Sequence, residues 1–127
     1  MPANTYRYEN AVSRYFEAWN ARESKARTKA VAAAWAVGGG YTDPLADVVG
    51  HEQIAGVIAA AHEQFPGFAF RLTGTVEGHH DTARFSWELV SEVDGSAPIA
   101  GSDVITLAGD GRIRSVLGFL DRVPDGA

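Results

Sequence analysis

Between residues 6 and 21 the apolar side chains fall at Tyr8, Val12, Tyr15/Phe16 and Trp19, a stripe spaced by three and four that predicts an amphipathic helix. Asn4 or Thr5 can cap its start. A second helix is predicted after Ser24, running through the alanine-rich stretch to about Ala36, where Gly38-Gly39-Gly40 stops it. Its first turns hold Lys25, Arg27 and Lys29, the wrong sign for a helix N-terminus. Pro44 steers Asp43 away from the α region, so Tyr41-Thr42-Asp43-Pro44 is predicted as a short extended piece. A third helix follows Gly50, with Glu52 in its first turn and Ile54, Val57, Ile58, Ala61 and Phe65 on one face. Pro66-Gly67 ends it.

From there the period changes from helical to alternating. Phe68–Val76, Ala83–Val93, Ala97–Ala108 and Arg112–Val123 are strand-length runs, separated by Gly78-His79-His80-Asp81, Asp94-Gly95 and Asp110-Gly111. Asp-Gly between such runs is a strong hairpin signal. On the second run Phe85, Trp87 and Leu89 share one face, with Arg84, Ser86 and Glu88 on the other. The last run has Val116, Gly118 and Leu120 on one side and Leu117 and Phe119 on the other, so both its faces are apolar. Helices on one side of a sheet leave the second apolar face without a partner, which predicts a homodimer packed sheet to sheet. The expected architecture is one α+β domain over residues 1–127, three helices followed by an antiparallel meander.

One residue breaks the alternation. Asp103 shares a face with Ile105 and Leu107, opposite Val104 and Thr106. An ionised carboxylate on a core face costs several kcal/mol unless it is paired or keeps its proton. The expectation is that it faces inward for a chemical reason.

Composition narrows the classes. A 46% hydrophobic and 21% charged chain is globular rather than disordered. No apolar run approaches the roughly 20 residues of a membrane span, and the first residues lack an apolar signal segment, so a cytoplasmic location is expected. The net charge of −5 argues against tracking a phosphate backbone, and Arg22, Lys25, Arg27 and Lys29 read as a solvated helix face. With no cysteine, thiolate metal sites and cysteine nucleophiles are excluded. His79-His80-Asp81 are consecutive in a turn rather than at ligand spacing, and His51 and His62 read as surface residues; no metal is expected. The three glycines at 38–40 lack the Gly-Lys-Ser/Thr of a phosphate loop, and no G-x-S-x-G occurs.

The order YFEAWN, YTDP, FPG, RFSWEL, a mid-strand Asp and DGRI resembles the nuclear-transport-factor-2-like superfamily, and within it the SnoaL-like polyketide cyclases and ketosteroid isomerases. The resemblance runs from about Tyr8 to Val123. It implies a cone, a strongly bent sheet wrapped around helices with an apolar pocket at the wide end. It also implies a site in which Asp43 is a base facing a donor pair, the Tyr15 hydroxyl and a protonated Asp103. Removing a proton beside a carbonyl leaves an enolate, which two preset donors in a dry cavity stabilise. Phe16, Trp19, Ile58, Phe65, Trp87, Ile105, Val116, Gly118 and Leu120 are then expected to line the pocket, with no cofactor. The implied activity is a cofactor-free proton-transfer isomerase or cyclase acting on a small apolar ketone. The alternatives are a pocket protein that binds a small hydrophobic ligand without catalysis, and a dimeric interaction scaffold. Limonene-epoxide-hydrolase-like chemistry would need an Arg where Gly101 stands, and scytalone-dehydratase-like chemistry would need inward strand histidines that this chain lacks.

Overall fold

A computed structural model describes residues 2–124, with side chains from Tyr6 onward. The element order is α1 (Pro2–Asn20), α2 (Ser24–Ala34), β1 (Trp35–Asp43), β2 (Ala46–Val49), α3 (His51–Gln64), β3 (Phe68–His79), β4 (Thr82–Ser91), β5 (Ile99–Leu107) and β6 (Ile113–Arg122). The proposed caps Asn4 and Thr5 fall inside α1, and their side chains lie outside the described residues. The stripe on α1 is the buried one: Tyr8, Val12, Tyr15 and Trp19 all belong to the core. No described helix is long and apolar enough to cross a membrane.

Six strands form one sheet in the order β2-β1-β6-β5-β4-β3. The meander from β3 to β6 is antiparallel throughout, as the turn signals predict. Two features correct the sequence reading. The third helix does not follow the second directly, because the β1–β2 hairpin lies between them. And β1 runs parallel to β6, pairing Tyr41 with Val116 and Thr42 with Leu117, so the sheet is mixed rather than wholly antiparallel.

The glycine triplet hid that strand. Instead of stopping a helix, Gly38 adopts φ +76 and sits where the β1–β6 register shifts between Trp35 and Gly40, the bulge role that glycine takes inside strands. Gly39 is closely packed: a Cβ there would lie 3.0 Å from Trp35 Cδ1 and 3.1 Å from the Ile113 carbonyl oxygen. The α2 helix ends instead at Trp35, whose backbone is already extended.

Side chains tie these elements together where propensity alone would not. Arg27 folds back to donate to the carbonyls of Ala21 and Arg22, which removes the conflict of a basic residue at the start of α2. Arg22 pairs with Glu92. His51 and His62, read from sequence as surface residues, are half-buried staples. His51 Nε2 donates to the Trp35 and Ala36 carbonyls, and His62 Nε2 to the Trp19 carbonyl at 2.7 Å. Burial along β4 and β5 follows the predicted alternation: Ala83, Phe85 and Leu89, with Asp103, Ile105 and Leu107, point inward. On the opposite face of β6, Leu117 and Phe119 are exposed, Phe119 at 59%.

Candidate functional site

Of the two adjacent rings on α1, Tyr15 is the one that faces inward, 3% exposed, while Phe16 is half-buried. Trp35 and Phe85 clamp the Tyr15 ring at centroid distances of 5.5 and 5.3 Å, and Phe16 meets its edge at 5.7 Å. So held, the Tyr15 hydroxyl donates to Asp103 Oδ2 at 2.6 Å. Asp103 is 2% exposed, opposite Phe85 on β4 and Gly118 on β6.

Gly118 is what lets the acids meet. A Cβ on it would lie 2.8 Å from Asp103 Oδ1 and 3.3 Å from Asp43 Cβ. The parallel pairing of β1 with β6 delivers Asp43 to this point, one residue beyond the Thr42–Leu117 pair. Asp43 is half-buried at the end of β1 and its two oxygens have different tasks. Oδ1 accepts from the backbone N–H groups of Leu45 and Ala46, both at 2.8 Å, and so closes the Asp-Pro turn into β2. Oδ2 accepts from the Tyr41 hydroxyl at 2.6 Å.

The site therefore contains two phenol–carboxylate pairs, Tyr15–Asp103 and Tyr41–Asp43. Burial pushes the Asp103 carboxyl up to about 6. Hydrogen bonds from Tyr15 and Trp87 oppose that rise, while the charges of Asp43 and Asp121 add to it. A group with that value is half protonated near pH 6 and neutral in about one molecule in ten at pH 7. The Tyr15 hydroxyl is held well above its ordinary value by burial and by the Asp103 charge, and Tyr41 by burial and its bond to Asp43. Both phenols keep their protons and remain donors.

The structure thus brings Tyr15, Asp43 and Asp103 together. The expected pocket lining is distributed more widely. Trp19, Ile58, Ile105 and Val116 belong to the buried core, with Phe16 and Trp87 packed against it. Trp87 lies over Gly101, where a Cβ would come 2.3 Å from its ring. Phe65 caps α3, half-buried, and meets Phe68 at 5.9 Å. Leu120 is 36% exposed: its cross-strand neighbour Gly101 offers no side chain to pack on, and Trp87 already covers that glycine. An open groove of about 810 Å3 runs between α1 and β3, with Phe16, Phe70, Leu72 and Val76 among its walls. Phe16 is the one expected pocket residue that lines it.

Tyr41 was missed from sequence, although a signal was there. On a strand, residues i and i+2 share a face, so an extended Tyr41-Thr42-Asp43 necessarily sets the phenol beside the carboxylate.

The profile of the SnoaL-like domain family matches residues 12–116, from the middle of α1 to the middle of β6. No curated protein matches the sequence. Among solved structures, a SnoaL-like family protein of Agrobacterium tumefaciens, named for an inferred isomerase activity, is 41% identical over 91% of this chain and 98% of its own, with a TM-score of 0.86. An inferred SnoaL-like polyketide cyclase from Jannaschia is 21% identical over 92% of this chain and 87% of its own (TM-score 0.74), a likeness of fold. So is that to a nuclear-transport-factor-2-like protein of unknown function from Cytophaga hutchinsonii, 16% identical over 90% and 89%, with a TM-score of 0.62. With a family profile spanning most of its elements and 41% identity to a member along nearly the whole length of both chains, this chain belongs to the SnoaL-like domain family.

Proposed function

We propose that the protein is a cofactor-free proton-transfer isomerase or cyclase acting on a small, largely apolar ketone. The observation that carries this reading is the buried Tyr15–Asp103 bond of 2.6 Å with a second carboxylate, Asp43, beside it. Asp43 Oδ2 has one lone-pair direction left after Tyr41, and it takes a proton from the carbon next to the carbonyl. The electron pair of that C–H bond moves into the carbon–carbon bond and the carbonyl π pair onto oxygen, giving an enolate. Tyr15 and the neutral form of Asp103 donate to that oxygen. Asp43 then returns the proton to the far carbon of the conjugated system, or the enolate carbon attacks a second carbonyl, whose π pair moves onto its oxygen and takes the proton back from Asp43 as the ring closes. The isomerase activity inferred for the 41% identical relative supports this chemistry.

The test is turnover of a β,γ-unsaturated ketone, followed by the ultraviolet absorbance of the conjugated enone. Product should form in proportion to protein, and the rate should fall as pH rises through about 6, where Asp103 loses the proton it donates. Ketone binding without turnover at any pH would instead favour a pocket protein that holds a small apolar ligand.

We also propose that a second copy covers the outer face carrying Leu117 and Phe119. Sedimentation should give twice the 13.5 kDa chain mass, reduced to one by Phe119→Asp. A native protein that sediments as a monomer would remove this part of the proposal.

A further inference from the structure

Trp19 sits in the last turn of α1, 5% exposed, with its ring 4.9 Å from Phe70, 5.5 Å from Tyr41 and 6.2 Å from Tyr15. Its indole Nε1 is buried and has no hydrogen-bond partner among the described residues. Trp35 differs: its Nε1 donates to the Gly40 carbonyl. A buried donor without an acceptor is costly and calls for a reason.

Slack is not the reason, because the end of α1 is pinned on two sides. His62 holds the Trp19 carbonyl, and the Asn20 side chain makes two bonds to the Phe70 backbone, at 3.0 and 2.8 Å. The indole is thus fixed with its ring against those of the two phenols. Burial and the Asp103 charge dominate the Tyr15 hydroxyl, and the Trp19 indole pulls against them, as a donor facing that oxygen does.

We infer that the Trp19 indole N–H is a reserve donor to the Tyr15 oxygen, engaged when Tyr15 turns its own proton from Asp103 to a ligand oxygen. This makes Trp19 a positioning residue, and it rests on the reading of Tyr15 given above. While Tyr15 donates to Asp103, a neutral hydroxyl oxygen is a modest acceptor. Once it donates to an enolate, negative charge is shared onto the Tyr15 oxygen, and the waiting N–H shortens onto it. The resting orphan is the cost of a donor preset for the charged state, as preorganisation requires.

The three tryptophans give three indole signals in a nitrogen-15 correlation spectrum, and Trp19→Phe assigns the relevant one. Phenol and the more acidic pentafluorophenol serve as enolate-like probes. The expected result is that the Trp19 signal moves downfield on saturation, further with the more acidic probe, while the Trp35 signal keeps its position. In Tyr15→Phe the Trp19 signal should no longer respond, and Trp19→Phe should bind pentafluorophenol roughly tenfold more weakly. A Trp19 signal that stays fixed while Trp87, beside Asp103, moves would overturn the inference and leave the proposed function standing. A response that persists unchanged in Tyr15→Phe would also overturn it, since Trp19 would then be acting directly. Phenols that move neither Trp19 nor Trp87 would overturn the underlying reading of the site and this inference with it.

Discussion

Replacing Asp43 by Asn should lower turnover of a β,γ-unsaturated ketone by about 10²–10⁴-fold, the usual loss on removing a general base, with no change in stability beyond ~1 kcal/mol. The substitution is a clean one because the two oxygens of Asp43 do different work. The amide oxygen of Asn can still accept from the Leu45 and Ala46 N–H groups, so the turn into β2 stays closed. The amide nitrogen takes the place of Oδ2 and can donate to the Tyr41 oxygen, so the pair keeps one hydrogen bond, reversed in direction, while the Tyr41 proton loses this acceptor. The capacity to take a proton is lost with the turn left intact. Asp43→Ala, by contrast, opens the turn and removes the bond to Tyr41, and so mixes folding with chemistry. Steady-state rates of both variants, beside their denaturant midpoints, separate the two effects. If Asp43→Asn retained full turnover while Asp103→Asn abolished it, the base would be Asp103 and the roles assigned here would be exchanged.

The parts of this site that were legible in the sequence are those set by local periodicity. The helical stripe puts Tyr8, Val12, Tyr15 and Trp19 on one side of α1, and alternation puts Asp103 with Ile105 and Leu107; burial agrees at every one of these positions. What alternation could not show is which strands are neighbours. The approach of Asp43 and Asp103 to either side of Gly118 depends on β1 lying parallel to β6, two segments separated by most of the chain. No turn signal marks a parallel pair, since its connection is long and passes through other elements. The β1 strand was further concealed by Gly38, Gly39 and Gly40, whose usual meaning is the end of a helix and whose meaning here is a bulge against Trp35 and Ile113. The resemblance to known families implied a common site for Tyr15, Asp43 and Asp103, but not the strand pairing on which their approach depends. The same distinction accounts for Leu120: period two sets it beside Gly118, but its exposure depends on Gly101 and Trp87 across the sheet.

Asp103→Asn should make the protein more stable at neutral pH while weakening its chemistry. The sign follows from where the carboxyl prefers its proton. In the unfolded chain an Asp titrates near 3.9, whereas burial raises Asp103 to about 6 in the fold. Below the lower value both states are protonated and the group has no effect on stability. Between the two values the unfolded chain gives up its proton and the folded one keeps it, so folding is progressively disfavoured as pH rises. Above about 6 the penalty is complete, about 3 kcal/mol for a two-unit difference. Asn has no proton to lose, and its side-chain oxygen can still accept from Tyr15, so the variant should escape this penalty and unfold at a higher denaturant concentration at pH 7–8. At pH 3 the two proteins should unfold together. The comparison must be the difference between them, because Asp81, Asp94 and Asp110, each held below its ordinary value by Arg7, by Ser96 and by Arg112, bias the native protein's own profile the other way. A native protein that gained stability relative to the variant between pH 4 and 7 would mean that Asp103 is a satisfied anion, and the donor role would fail with it. If the expected order holds, the fold keeps at its centre an acid whose cost is a substantial share of the roughly 5–15 kcal/mol total of a small domain, which is the condition of a site set up for chemistry rather than for packing.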